Sequence, residues 1–156
     1  MKILMDSDCL IKLTKAGLKS LIVEKYSLFI PAVVKKEVVD PGKQRGHADA
    51  FLIEENIVSG KIEIVESSQA YSKGNQALID VFDSDTYSAV ATDDAKLVRL
   101  LRIRGIPFIL PALLIHRPWK RGKIRRRTAT DALEKLRAFI SEDEYSTVKI
   151  LMERKK

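Results

Sequence analysis

Apolar residues recur along this chain in two alternating rhythms, short unbroken runs and stripes spaced by three and four. KILM reads as a short buried strand. CLIKL and LKSLI carry apolar positions at helical spacing, with Gly17 breaking them into two short helices. YSLFI is a strand closed by Pro31, a residue suited to the first turn of a helix, where its missing N–H is not needed. That helix is predicted to run from Ala32 to Val39 and to stop at Asp40-Pro41-Gly42, with a basic loop over residues 43 to 47. Ala48 to Asn56 reads as helix, and KIEIV after Gly60 as a strand with one wetter face. Asn75 to Phe82 is helical, DSD a turn, and SAVAT a strand. Ala95 to Arg104 is a helix with Leu97, Leu100 and Leu101 inward and Gly105 as its stop, and PFIL is the last strand.

Strand and helix in alternation predict an α/β fold, a parallel sheet with helices on both faces. Beyond it, TDALEKLRAFI is an amphipathic helix, and SEDE starts another with Ser141 as N-cap and Glu144 placed to reach back in a capping box. Leu133, Leu136, Ile140, Tyr145, Val148 and Leu151 give this C-terminal pair an apolar side, for packing on the domain or on a second copy as a homodimer. The expected organisation is one domain: residues 1 to 116 the α/β body, 117 to 127 a basic connector, and 128 to 156 the helical pair.

Composition narrows the class. At 156 residues and 46% hydrophobic, the chain has material for one sizeable core. No stretch approaches the roughly 18 to 20 apolar residues of a membrane span, and the N-terminus lacks the apolar region of a secretory signal, so a soluble cytoplasmic protein is expected. One cysteine, Cys9, excludes an internal disulfide and a cysteine zinc site, and its apolar setting points to a buried thiol. The net charge of +7 is localised: RPWKRGKIRRR holds Arg117, Lys120, Arg121, Lys123, Arg125, Arg126 and Arg127 and no acid. Without these seven, the remaining 21 Lys and Arg balance the 21 Asp and Glu. Such a patch suits RNA phosphates, or is a solvated connector that binds nothing in particular.

The chemistry sits in acids placed where strands give way to helices: Asp6 and Asp8 after ILM, Glu37 after FIPAVVKK, Asp93 and Asp94 after SAVAT. Such positions converge at the C-terminal edge of an open parallel sheet. Two carboxylates about 4 Å apart repel by roughly 4 kcal/mol at an effective dielectric near 20, so a cluster calls for a cation, a shared proton or separation. Oxygen donors suit Mg²⁺ or Mn²⁺. Each acid also has a plainer reading, since Asp8 and one of Asp93 and Asp94 are placed to cap helices. GxxxxGK[ST], GxGxxG and HExxH are absent.

In order and spacing, ILMDSDCLIKL, FIPAVVKKEVV and VATDDAKLVRLLRIRGIPFI resemble the PIN-domain family of metal-dependent ribonucleases. GKIEIV and the two-helix tail extend the resemblance over nearly the whole chain. It implies an α/β/α sandwich that cuts RNA at an acidic pocket binding Mg²⁺ or Mn²⁺. Carried over, the catalytic and metal-holding acids fall on Asp6, Glu37 and Asp94, with Asp93 at a variable position and Asp8 where a small polar residue often stands. A third acid is usual at the start of the helix before the TDD strand, but GNQALID places Asn75 and Gln76 there. Asn75, or a displaced Asp80, Asp83 or Asp85, is then the candidate to complete the metal set, unless those acids are solvated turn residues. The resemblance also allows two other readings. One is an RNA-binding or assembly module with a weakened metal site; the other is the toxin of a toxin–antitoxin pair held by a small antitoxin protein.

Overall fold

The computed structural model describes residues 1 to 154, the side chain of residue 49 excepted. Five strands, β1 (Lys2–Met5), β2 (Ser27–Pro31), β3 (Ile62–Val65), β4 (Ala89–Ala91) and β5 (Phe108–Ile109), form one parallel sheet in the order β3-β2-β1-β4-β5. Between and after them run α1 (Ser7–Lys15), α2 (Lys19–Lys25), α3 (Ala32–Gln44), α4 (Ala48–Val58), α5 (Gly74–Val81), α6 (Ala95–Ile103), α7 (Leu113–Lys120), α8 (Arg126–Leu136) and α9 (Glu142–Glu153), with a 3₁₀ turn at Arg137–Phe139.

The two-residue period of a strand decides which layer each side chain joins. Ile3 and Met5, with Leu28, Ile30, Ala89 and Ala91 beside them, pack against Leu10, Leu13, Val34 and Val38 and the C-terminal helices. Leu4, Phe29 and Val90 point the other way, onto Leu78 of α5 and Leu97 and Leu101 of α6. Three layers result, helices over both faces of a parallel sheet. The C-terminal pair contributes Leu133, Leu136, Tyr145, Val148 and Met152 to the same core as β1. Among the described residues, no helix is long and apolar enough to cross a membrane.

Four local expectations are corrected. The helix after β2 does not stop at Asp40-Pro41-Gly42 but continues to Gln44. Pro41 costs it the hydrogen bond to the Glu37 carbonyl, yet α3 packs so closely on α4 that a Cβ at Gly42 would lie 2.5 Å from that of Ala50. The stop is Gly46, at φ +70°, where the N–H groups of Gly46 and His47 donate to the carbonyls of Lys43 and Gly42. On α6, Leu97 and Leu101 lie a turn apart and fill the contact with the sheet, so Leu100 sits at its margin, 45% exposed. Residues 117 to 127 do not form a single linker, because Arg117 and Lys120 lie in α7 and Arg126 and Arg127 open α8.

The fourth correction concerns Glu144. Ser141 caps α9 by accepting from the Glu144 N–H, but the Glu144 carboxylate does not turn back. It is buried and accepts from the Ala112 N–H at the start of α7, 2.7 Å away. That contact ties the C-terminal pair to the segment that leaves β5.

Candidate active site

Leaving β1, the chain builds β2 and β3 to one side and then crosses to β4 and β5 on the other, so the strand order reverses between β1 and β4. Loops diverge at such a point and leave a crevice at the C-terminal edge. Asp6 leaves β1 into it, and Thr92, Asp93 and Asp94 leave β4 beside it.

Asp6 is 3% exposed and caps α1. One oxygen accepts from the Cys9 N–H at 2.7 Å and the other from the Thr92 hydroxyl. Burial pushes its pKa from 3.8 to about 6; the Thr92 and Cys9 hydrogen bonds pull against that, and Asp8 and Asp93 add to it. Thr92 is fully buried, and its Oγ1 also accepts from the Asp94 N–H at 3.1 Å. Asp94 in turn caps α6, Oδ1 accepting from the Leu97 N–H at 2.6 Å. One hydroxyl thus holds both post-strand aspartates in register.

Glu37 comes to the same crevice from the second turn of α3. Its Oε1 accepts from the Gly74 N–H at 2.8 Å and its Oε2 from the Ser7 hydroxyl at 3.2 Å. Gly74 opens α5 with no room for a side chain: a Cβ there would lie 2.8 Å from Glu37 Oε2 and from Val34 Cγ2. Asp8, Lys73 and Asn75 complete the rim of a pocket of about 320 Å³. Four carboxylates (Asp6, Asp8, Glu37 and Asp94) therefore face one cation, Lys73, in its lining.

Asp6, Glu37, Asp94, Asp8 and Asn75 are brought together; other candidates are not. Asp93 points away and pairs with Lys12, both oxygens lying 2.6 to 2.7 Å from Nζ. Asp6 rather than Asp8 caps α1, with Asp8 in its first turn, and of the Asp93-Asp94 pair it is Asp94 that caps α6. Asp80 is five residues beyond Asn75, well round the helix, and accepts from the Ser68 N–H and hydroxyl, bonds that hold its carboxyl below the usual range. Asp83 closes the turn to Thr86, accepting from the Asp85 N–H and the Thr86 hydroxyl. Lys73, Gly74 and Ser7 were not singled out from the sequence. Gly74 carried the one usable signal, a glycine inside a helix start, where close approach of another group is a standing explanation.

The basic residues lie elsewhere. Arg117, Lys120 and Arg121 line a cleft with Met1, Ser88 and Pro107, which precede β1, β4 and β5 and so mark the N-terminal edge of the sheet. The eight residues of α7 carry the chain back by about 12 Å, at 1.5 Å per residue, and its basic end lands opposite the acidic pocket. Lys123 lines a neighbouring hollow, and Arg125 to Arg127 sit at the start of α8.

The donor set fits a hard divalent cation. It consists of oxygen atoms, and Asp94 Oδ2 has no hydrogen-bond partner among the described residues. Among the described residues, no three acids, histidines or cysteines stand close enough to cage an ion. The fit is to an ion held by one or two carboxylates that keeps water at its other positions, which is how Mg²⁺ is commonly bound. The family model of the PIN domain matches residues 2–154. A search of curated proteins finds no match to the chain.

Proposed function

Because the chain belongs to the PIN-domain family, whose fold is of the nuclease type, we propose that it is a metal-dependent ribonuclease, hydrolysing RNA phosphodiester bonds at the pocket of Asp6, Glu37 and Asp94. One observation carries this reading: acids that follow β1 and β4 and one on α3 line a single pocket at the strand-order reversal, the deepest of them buried with no salt-bridge partner among the described residues. Bound there, Mg²⁺ or Mn²⁺ would neutralise the phosphate and favour ionisation of the attacking water. Asp6 and Asp94 supply the anionic oxygens, held in place by Thr92 and by the first turns of α1 and α6. Glu37, fixed by Gly74 and Ser7, orients the water or accepts its proton. Lys73 and Asn75 at the rim are placed to donate to phosphate oxygens.

Purified protein incubated with a mixed single-stranded RNA pool tests this. Cutting is expected with Mn²⁺ or Mg²⁺ and should vanish in EDTA; cutting undiminished by the chelator contradicts the proposal.

Lys73 and Asn75 favour a second reading, an RNA-binding or assembly module with a weakened metal site, since an ammonium and an amide bring no negative charge where a third acid was expected. In either role RNA is the proposed partner, through the acidic pocket's rim and Arg117, Lys120, Arg121, Lys123 and Arg125 to Arg127. The proposed location is the cytoplasm, with which the buried free thiol of Cys9 agrees. As a toxin component the chain would also take a small antitoxin protein, for which Phe51, Leu52 and Val58 of α4 and Leu100 and Ile103 of α6 offer exposed apolar surface.

A further inference from the structure

The cleft at the N-terminal edge of the sheet encloses about 440 Å³, within the range of small-molecule sites. Phe108 and Leu113 give it an apolar wall, and His116, Arg117, Lys120 and Arg121 line the other side. No acid lines it. Arg117, Lys120 and Arg121, spaced i, i+3 and i+4, share one face of the α7 terminus, and none has a carboxylate partner among the described residues. Cations in the last turn of a helix complement its dipole, which accounts for their charge. It does not account for the cavity, nor for three cations gathered on it with no counter-charge among the described residues. Three cations that converge without a counter-charge repel one another, so an anion entering the cleft is the missing half of this site.

We infer that this cleft is a nucleotide monophosphate site, Arg117, Lys120 and Arg121 taking the phosphate and the wall beside His116 taking the base. Guanidinium groups bind phosphate oxygens through paired donors, which suits Arg117 and Arg121. Burial and nearby Lys120 hold His116 below the usual imidazole range, so at neutral pH it offers one donor and one acceptor, as a base edge requires. Its ring packs 5.5 Å from that of Trp119, fixing that side of the cleft. The nucleotide is either free or one unit of an RNA chain. In both cases the site stands apart from the acidic pocket, at the other end of the strands, and does not depend on cleavage.

The chain has a single tryptophan, Trp119, so its emission reports on this cleft. The protein, in EDTA, is titrated by calorimetry and fluorescence with AMP, adenosine, sodium phosphate and an RNA of about 12 nucleotides. AMP should bind saturably, perturb Trp119 and bind at least about tenfold more tightly than adenosine or phosphate, as expected for a phosphate with charge-assisted contacts plus a base. The surface variants Lys120→Glu and Arg121→Glu, with unchanged melting temperatures, should lose that affinity by about tenfold or more, while Asp6→Asn keeps it. RNA binding far more tightly than AMP, through the same residues, identifies the unit as part of a chain; equal affinity identifies a free nucleotide. Absence of AMP binding, displacement of AMP by phosphate alone at equal concentration, retention of affinity in both charge-reversal variants, or its loss in Asp6→Asn would each overturn the inference.

Discussion

Asp6→Asn should make the metal-free protein more stable above neutral pH while removing its activity. The folded chain raises this carboxyl from 3.8 to about 6, chiefly by burial. It therefore holds the proton more tightly than the unfolded chain does, so stability falls as pH rises from 3.8 to about 6 and stays low above that. At 1.36 kcal/mol per unit, the full cost of ionising Asp6 in place is about 3 kcal/mol at pH 8. Asparagine carries no such cost. It keeps an acceptor for the Cys9 N–H but turns its amide nitrogen to the Thr92 hydroxyl, which loses its acceptor, a loss of about 1 kcal/mol. The net expectation is a gain of about 2 kcal/mol for the variant at about pH 8, shrinking by about 2 kcal/mol by pH 4.5, where the wild-type carboxyl is mostly protonated in the fold. Urea unfolding of both proteins in EDTA at the two pH values reads this directly. Added Mn²⁺ should then stabilise the wild type and leave the variant where it was. A stability difference that does not change with pH, or a variant that gains ground as pH falls, would refute the reasoning.

Other substitutions separate the parts of the site. Gly74→Ala forces a Cβ to within 2.8 Å of Glu37 Oε2 and Val34 Cγ2, which should cost about 1–3 kcal/mol in urea unfolding and displace Glu37, lowering cleavage more than RNA binding. Asp93→Asn breaks the pair with Lys12 at about 1 kcal/mol and should leave metal-dependent cleavage within a few-fold of wild type, unlike Asp94→Asn. Glu144→Ala orphans the buried Ala112 N–H, so a loss of about 1–3 kcal/mol in thermal unfolding is expected, with cleavage of the still-folded protein retained.

What the sequence disclosed depended on how local each cause was. Asp6 and Asp94 were legible because each follows a short apolar run and precedes a helical stripe, a pattern written in a few adjacent residues. Glu37 was placed by the same logic on α3, although the end of that helix was not, because the close approach of Gly42 to Ala50 overrides Pro41 and comes from another helix. The choice between Asp93 and Asp94 turned on Lys12, 81 residues away from Asp93. Glu144 fitted a capping box in its own segment and was claimed instead by α7. Charge alone marked the basic run as a candidate for phosphates or a solvated connector, but where it lies follows from geometry: a helix leaving the C-terminal edge of a parallel sheet ends at the other edge. Reading α7 as helix through Pro118 would have placed Arg117, Lys120 and Arg121 there.

The most direct test of the acidic pocket is RNA cleavage with Mn²⁺ by wild type and Asp6→Asn side by side, each shown by its unfolding curve to be folded. Cleavage by the wild type alone, lost in a variant at least as stable, is the expected result. Cleavage by both at similar rates would place the chemistry outside the pocket of Asp6, Glu37 and Asp94.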